Sequence, residues 1–443
     1  MRGTKAERRA KARRETQPAS AAKAPAGADA PVVSVGVTAM GAQGDGLAAI
    51  TAPSGAPLPL FVPYALPGET VRGRLEADRL LVDEVVVASP ERAVPACRHF
   101  GRCGGCLLQH WQAPPYLAWK QGLVEAALRR EGLAAPVAPI RDAHGAGRRR
   151  AIFHARRSGA RTVLGFAERR SHAMVDLDDC PVLAPGLRSA LPALRTVAET
   201  LAPLDKPLDL QATLTETGLD LDVRGSGPLP PMVLMDLAAL AERSGFARLT
   251  RHGEMVLQRT APVVGMGAAR VELPVAGFLQ ATAEGEACLA GLVAEATSGA
   301  RRIVDLFAGA GTFALRLAST ARVHAAEGNA AAVAALLKAG RATPGLKRVE
   351  GEARDLFRRP LLAQELDGFD AAVIDPPRQG AEAQVRELAA TTLGRLVYVS
   401  CNAATFARDA RRLVDGGWRL ETVIPVDQFR YSPHVELVAV FGR

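Results

Sequence analysis

From about residue 271 onward, short apolar runs alternate with alanine-rich stretches in which apolar residues recur every three or four positions. The runs "RRIVDLF", "ARVHAAE", "KRVEGEARD", "FDAAVID" and "RLVYVSC" each close on or beside an acid or a thiol, and most precede a helical pattern. This alternation predicts an α/β, Rossmann-like, doubly wound parallel sheet over 271–443, with ligands at the carboxyl ends of its strands. Residues 31–91 show short β-branched runs separated by Gly, Pro and Asp, which predicts a small OB-type β-barrel. Residues 92–270 mix cysteine-rich turns, the helical pattern "YLAWKQGLVEAALRREG" and strand-like segments, as in a central α+β domain. No internal repeat is visible.

At 443 residues the chain is too long for one core, and 48% hydrophobic with 23% charged residues is an ordinary soluble balance. No apolar run is long enough for a membrane span, and the basic start "MRGTKAERRAKARRE" lacks the apolar core of a secretory signal, so a cytoplasmic location is expected. Of the net charge of +9, eight Lys or Arg against three acids place +5 on residues 1–30, leaving +4 for the rest. That Ala, Pro and Ser rich stretch reads as a disordered basic tail. Arg148, Arg149, Arg150, Arg156, Arg157, Arg161, Arg169 and Arg170, interleaved with Phe153 and Phe166, read either as a face that follows a phosphate backbone or as a solvated sheet surface.

The strand ends carry the chemistry. In "DLFAGAGTF", Gly309 and Gly311 let a ligand approach a strand-to-helix turn, and Glu327 ends the next strand, where a carboxylate accepts hydrogen bonds from ribose hydroxyls. The longer dinucleotide glycine spacing and the phosphate-loop Gly-Lys-Ser/Thr are missing, so S-adenosyl-L-methionine fits better than NAD or ATP. "IDPPRQG" puts Asp375 before a loop stiffened by Pro376 and Pro377. Where most amino-methylating enzymes have an aromatic residue next, this chain has Arg378, which points away from an exocyclic amine. Cys401 ends a further strand as a candidate nucleophile, and Glu436 in "SPHVELVAVF" is a candidate base. Each alone has a blander reading, but together they fall on one crevice. Addition of a thiolate at carbon 6 of a pyrimidine makes carbon 5 nucleophilic toward a sulfonium methyl group, and a base must then remove the proton from carbon 5. Separately, Cys97, Cys103 and Cys106, with Cys180 as a fourth ligand, suit a [4Fe-4S] cluster or a structural zinc equally well by spacing.

Taken together, "FVPYALPGETV", "CRHFGRCGGCLLQH", "YLAWK", "FLQAT", "DLFAGAGTF", "DPPRQG", "VYVSCN" and "HVELV" resemble the iron-sulfur-containing RNA uracil-C5 methyltransferases, particularly the 23S rRNA branch, over about 31–443. The resemblance implies an amino-terminal TRAM barrel, a central iron-sulfur domain, and a class I methyltransferase domain against which the helix around 113–135 packs. It implies Cys401 as nucleophile and Glu436 as base. Gln280, Phe307, Glu327 and Asp375, with the glycine turn, become adenosylmethionine contacts, and Cys97, Cys103, Cys106 and Cys180 become [4Fe-4S] ligands. It further implies a monomer acting on structured RNA, with 23S rRNA ahead of tRNA. Where the family has Phe-x-Gln-x-Asn, this chain has Phe278, Gln280 and Thr282. The rival readings are cytosine-C5 methylation, which needs the same thiol, and a non-catalytic iron-sulfur RNA-binding protein.

Overall fold

Aliphatic side chains at alternate positions build the first sheet. In the computed structural model, which describes residues 30–51, 56–159, 161–201 and 207–443, the chain forms two compact units. The basic tail expected over 1–30 lies, but for Ala30, outside the described residues. The first unit runs up to Gly41 and includes Asp45–Ser89. Its strands β1 (Val32–Gly36), β2 (Ala39–Met40), β3 (Asp45–Thr51), β4 (Pro57–Pro63), β5 (Thr70–Glu76) and β6 (Arg79–Val87) form one sheet in the order β1-β5-β6-β4-β3-β2. Val35, Val37, Leu60, Val62, Val71 and Leu80 fill its core. Gly73 sits at a register shift between β5 and β6, where a Cβ would lie 2.1 Å from the Leu81 carbonyl oxygen, so only glycine fits.

The second unit, Ala42–Gly44 with Pro90–Arg443, holds two large sheets. A short strand, β7 (Arg141–Asp142), leads into β8 (Arg150–Ser158), β9 (Arg161–Ala167), β10 (Met174–Asp176), β11 (Leu208–Thr215), β12 (Gly218–Arg224), β13 (Arg248–Arg251) and β14 (Glu254–Gln258). Strands β8 to β14 pair in the order β10-β9-β8-β11-β12-β13-β14, packed by the helices Leu191–Leu201 and Pro231–Arg243 through Leu194, Val197 and Leu237. A hairpin, β15 (Val263–Met266) and β16 (Ala269–Glu272), follows.

The carboxyl-terminal sheet is built from β17 (Arg302–Leu306), β18 (Arg322–Glu327), β19 (Val349–Ala353), β20 (Ala371–Ile374), β21 (Arg395–Ser400), β22 (Arg419–Asp427) and β23 (Glu436–Gly442), in the order β19-β18-β17-β20-β21-β23-β22-β7. Strands β17 to β21 are the five parallel strands that the apolar runs predict. The sheet as a whole is mixed, which corrects the expectation of an all-parallel one: β23 runs antiparallel between β21 and β22. β23 is buried along its whole length, so in sequence it looks like the parallel strands and carries no mark of its opposite direction. Val397 and Val399 face a core with Leu289, Leu292 and Leu336, while Leu396 and Tyr398 face the other core with Val385, Phe406 and Leu413.

The helix Ala113–Arg130 opens on Pro114 and Pro115, whose missing N–H groups are harmless in a first turn. It presents Tyr116, Lys120, Val124, Ala127 and Leu128 inward, and Val124, Ala127 and Leu128 join the core of Tyr398 and Phe406. Lys120 on this stripe is fully buried, and its Nζ donates to Asp427 Oδ1 at 2.6 Å. The Tyr116 hydroxyl donates to Asp427 Oδ2 at 2.7 Å. Among the described residues, no helix is long and apolar enough to cross a membrane.

Breaking a buried ion pair leaves one charge unpaired in low dielectric, so Asp427→Ala is expected to lower the stability of the second unit by about 3–5 kcal/mol. Urea unfolding monitored by tryptophan fluorescence checks this, and an unchanged midpoint would contradict it.

Candidate active site

Strand register brings the reactive groups together. In the antiparallel pairing of β21 with β23, Ser400 lies opposite Leu437, so the next position outward faces Cys401 toward Glu436. In the parallel pairings, Leu306 aligns with Ile374 and Ile374 with Tyr398, which sends Phe307, Asp375 and Cys401 over the same edge of the sheet. Glu327 ends β18 at that edge. Asn402 then caps the helix Ala403–Asp415, accepting from the N–H groups of Ala404 and Thr405 at 3.0 and 3.4 Å. Its side-chain amide and the Thr405 hydroxyl both donate to the Arg378 carbonyl, at 3.2 and 3.0 Å, so the Asp-Pro-Pro loop is pinned to the turn that carries Cys401. A cleft of about 270 Å³ opens beside Cys401, bounded by Arg378, Asn402, Pro433 and His434.

Burial sets the electrostatics of this edge. Asp375 is pushed up to about 7 by desolvation. Glu436 is pushed up to about 8, first by burial and then by Asp375, against a hydrogen bond from Gln428 and the positive charges of Arg378 and Lys120. The Cys401 thiol is pushed up to about 11 by burial and by the two carboxylates, with Arg378 opposing. Asp305, buried on β17, is raised in the same way, by burial first and then by Asp375. A crevice this rich in buried acid disfavours a phosphate-bearing ligand and suits one that brings positive charge, such as a sulfonium and an ammonium group.

An amide chain connects the two central carboxylates. Gln280 Nε2 donates to Asp375 Oδ2 at 3.3 Å, and Gln428 Nε2 donates both to Gln280 Oε1 at 2.7 Å and to Glu436 Oε1 at 3.1 Å. Glu436 Oε2 is buried with no hydrogen-bond partner among the described residues. Gln428 is a member of this site that the sequence reading missed. The available signal was the polar pair Asp427 and Gln428 closing an apolar strand, in the same way that acids close the parallel strands.

The glycine turn is built for close approach. Gly309 and Gly311 have φ of 55° and 104°, and a Cβ on Gly311 would meet Leu315 at 2.8 Å. Phe307, also left-handed at 62°, packs its ring against that of Phe357, centroids 5.2 Å apart and planes tilted by 51°. Glu327 Oε2 accepts from the Gly309 N–H at 3.0 Å and Oε1 from the Asn329 N–H at 2.7 Å, so its carboxylate holds the turn in place. Thr282, where the resembled family has Asn, caps the helix Ala283–Ala296: its hydroxyl accepts from the Gly285 N–H at 2.9 Å and donates to the Ala143 carbonyl at 2.8 Å.

Cys97, Cys103, Cys106 and Cys180 line one cavity of about 610 Å³, which also reaches Arg148 and Gln280. Burial pushes Cys106 up to about 11 and Cys180 up to about 12, and each feels the charge of the other thiols. Among the described residues, no set of three or more His, Cys, Asp or Glu side chains is arranged to hold a single metal ion. Burial lowers the pKa of the Arg148 guanidinium, with Cys106 and Cys180 opposing, and its buried Nε has no hydrogen-bond partner among the described residues. The aromatic interleaving in the arginine-rich stretch is not part of a basic face: Phe153 is fully buried and stacks on Phe166, ring centroids 5.4 Å apart, inside the core. Of the arginines, Arg149 is tied to Glu286, whereas Arg156, Arg157, Arg161 and Arg170 are exposed.

Residues 346–442 match the family model described as tRNA (Uracil-5-)-methyltransferase. An uncharacterised RNA methyltransferase of Brucella suis is 46% identical over 92% of this chain and 97% of its own length. A 23S rRNA (uracil(1939)-C(5))-methyltransferase of Halomonas elongata is 36% identical over 85% of this chain and 83% of its own. Among solved structures, the Pyrococcus abyssi tRNA (uracil-54, C5)-methyltransferase, in complex with S-adenosyl-L-homocysteine, shares the fold with a TM-score of 0.70 at 23% identity, over 92% of this chain and 99% of that one. With its class I sheet, its strand-end thiol and carboxylates, and this similarity along nearly its whole length, the chain belongs to the RNA uracil-C5 methyltransferase family and is an enzyme of that family.

Proposed function

We propose that this enzyme methylates carbon 5 of a uridine in structured RNA, that 23S rRNA supplies the uridine, and that the reaction proceeds through a covalent bond between Cys401 and carbon 6. The observation that carries this reading is the β21–β23 register, which sets a strand-end thiol opposite a buried carboxylate. Adenosylmethionine, when bound, supplies an electrophilic methyl group on a sulfonium. Gln280, Phe307, Gly309, Gly311, Glu327 and Asp375 are the residues read as holding it, and the acid-rich crevice favours its positive charge.

The chain's own residues carry the proton and electron bookkeeping. Cys401 loses its proton to solvent through the adjoining cleft, and the thiolate bonds to carbon 6, moving the ring's double-bond electrons onto the carbonyl oxygen at carbon 4. Carbon 5 becomes the nucleophile and takes the methyl group. Glu436 Oε2, which has no hydrogen-bond partner among the described residues, then removes the proton from carbon 5, the ring double bond reforms, and the carbon–sulfur bond breaks. The base must be ionised, and Glu436 is raised to about 8, so the ionised fraction, and with it the rate of release, falls as pH drops below that value. A target inside a stack cannot reach Cys401, so the uridine must be flipped out. The similarity to the Halomonas enzyme supports 23S rRNA over tRNA.

We read residues 31–91 as a TRAM-type RNA-binding barrel, 92–270 as a central iron-sulfur domain and 271–443 as the methyltransferase domain. Exposed Arg156, Arg157, Arg161 and Arg170 suit a phosphate backbone. The donor set of Cys97, Cys103, Cys106 and Cys180 suits a [4Fe-4S] cluster: four thiols share one cavity, and among the described residues the buried Arg148 Nε–H has no hydrogen-bond partner and would suit an anionic centre. When bound, the cluster would be held by these four sulfurs as thiolates.

With unmodified rRNA transcript and labelled adenosylmethionine, wild type is expected to yield 5-methyluridine. Detection of 5-methylcytidine instead would favour the cytosine reading, and methyluridine only in tRNA would overturn the rRNA assignment. Cys401→Ala is expected to abolish turnover, by about 10³-fold or more, with folding intact. Glu436→Gln should accumulate an RNA–protein adduct that survives a denaturing gel, and prompt release would contradict its role as base. In wild type, breakdown of that adduct should rise with pH toward a plateau above about 8, because a carboxyl group with a raised pKa is protonated, and inactive as a base, below it. Anaerobically purified protein is expected to hold about four iron atoms per chain with visible absorption; one zinc and no colour would replace the cluster with a structural zinc.

A further inference from the structure

The segment Asp427–Tyr431 is held from three directions. From the helix Ala113–Arg130, Lys120 and Tyr116 bind both oxygens of Asp427, Lys120 also donates to the Phe429 carbonyl at 3.2 Å, and the Tyr116 hydroxyl accepts from the Tyr431 N–H at 2.9 Å. From the cysteine-bearing segment, the Leu107 N–H donates to the Tyr431 carbonyl at 2.8 Å. From β8's approach, the Arg148 guanidinium lies 5.5 Å from the centre of the Phe429 ring. Asp427 also accepts from the Phe429 N–H at 3.0 Å, which folds the segment back on itself. Gln428 is the residue thus immobilised. It is fully buried, and both of its N–H bonds are committed, one to Gln280 and one to Glu436.

We propose that Gln428 is a positioning residue for the release step: it fixes Glu436 Oε1 as an acceptor, leaves Oε2 as the oxygen that takes the proton, and links that carboxylate to the Gln280–Asp375 pair. The "YLAWK" motif serves this arrangement through Tyr116 and Lys120, whose contacts go to the Gln428 segment rather than to the crevice. An N–H donor on one oxygen stabilises the ionised carboxylate that must take the proton. Other groups act on Glu436 as well: Asp375 and Cys401 at the strand ends add negative charge, Arg378 of the Asp-Pro-Pro loop and Lys120 of the helix add positive charge, and His434 lies two positions away on the same segment. Gln428 donates a hydrogen bond to Glu436 itself.

This inference rests on the covalent uracil reading above, and the two fail differently. The experiment follows the covalent adduct on unmodified 23S rRNA transcript at saturating adenosylmethionine, from pH 6 to 10, for wild type, Gln428→Leu and Gln428→Asn. The expected result for Gln428→Leu is that adduct still forms but resolves about tenfold more slowly, with the midpoint of its rise with pH displaced upward. Gln428→Asn keeps the amide but shortens its reach, and is expected to displace the midpoint in the same direction; it decides the matter if Gln428→Leu fails to fold, as judged by thermal unfolding. Resolution at the wild-type rate with an unmoved midpoint in a folded variant would overturn the positioning role. Loss of adduct formation with an unmoved midpoint for residual turnover would also overturn it, by placing Gln428 in the earlier steps. If wild type yields neither adduct nor methyluridine, the underlying reading falls and the inference falls with it.

Discussion

Two carboxylates, the half-buried Asp375 and the buried Glu436, share one crevice, and much of the site is organised by what their burial requires. A buried carboxyl group must be hydrogen-bonded, paired or neutral. Here the solution is an amide chain: Gln280 donates to one carboxylate, Gln428 donates to the other, and Gln428 donates to Gln280 between them. Neutral donors hold both acids without cancelling their charge by direct ion pairing. On the proposed mechanism the acids remain available to a cationic ligand and to a proton from the substrate, and their raised pKa values make them stronger proton acceptors than ordinary carboxylates.

An amide chain works only if its members cannot rotate away, and the surrounding packing provides that. Asp427 precedes Gln428 and is clamped by the buried Lys120 and Tyr116. Thr282 follows Gln280 closely and is fixed as a helix cap that also binds the Ala143 carbonyl. The Lys120–Asp427 pair is costly to desolvate, and replacing both partners with apolar residues could preserve stability. Its value to the protein lies in direction, since it specifies where the chain after β22 must run.

The cysteine cavity belongs to the same construction. Leu107, next to Cys106, bonds to Tyr431, and Arg148 spans from the thiols to the Phe429 ring. The segment that carries Gln428 is thus bounded on one side by the cysteine-bearing loop and on the other by the helix Ala113–Arg130. Segments distant in sequence meet at one short turn, which explains why a residue outside every recognised motif sits at the centre of the site.

The sequence by itself determined the parallel core and its strand-end chemistry. Parallel strands buried on both faces are nearly continuous apolar runs, so Glu327, Asp375 and Cys401 stood out as the polar punctuation that ends them, and the glycines of "DLFAGAGTF" marked the turn. Glu436 was legible for the same reason, at the start of "ELVAVFG". Only the tertiary structure decided the direction of β23, the burial of Lys120 on an otherwise apolar helix stripe, and the inward stacking of Phe153 on Phe166 in a stretch that reads as basic surface. The tertiary structure alone likewise revealed Gln428 as the bridge. Periodicity reports which face of an element is apolar, and it says nothing of a polar side chain whose partner lies some 150 or 300 positions away, as for Gln428 with Gln280 and Lys120 with Asp427.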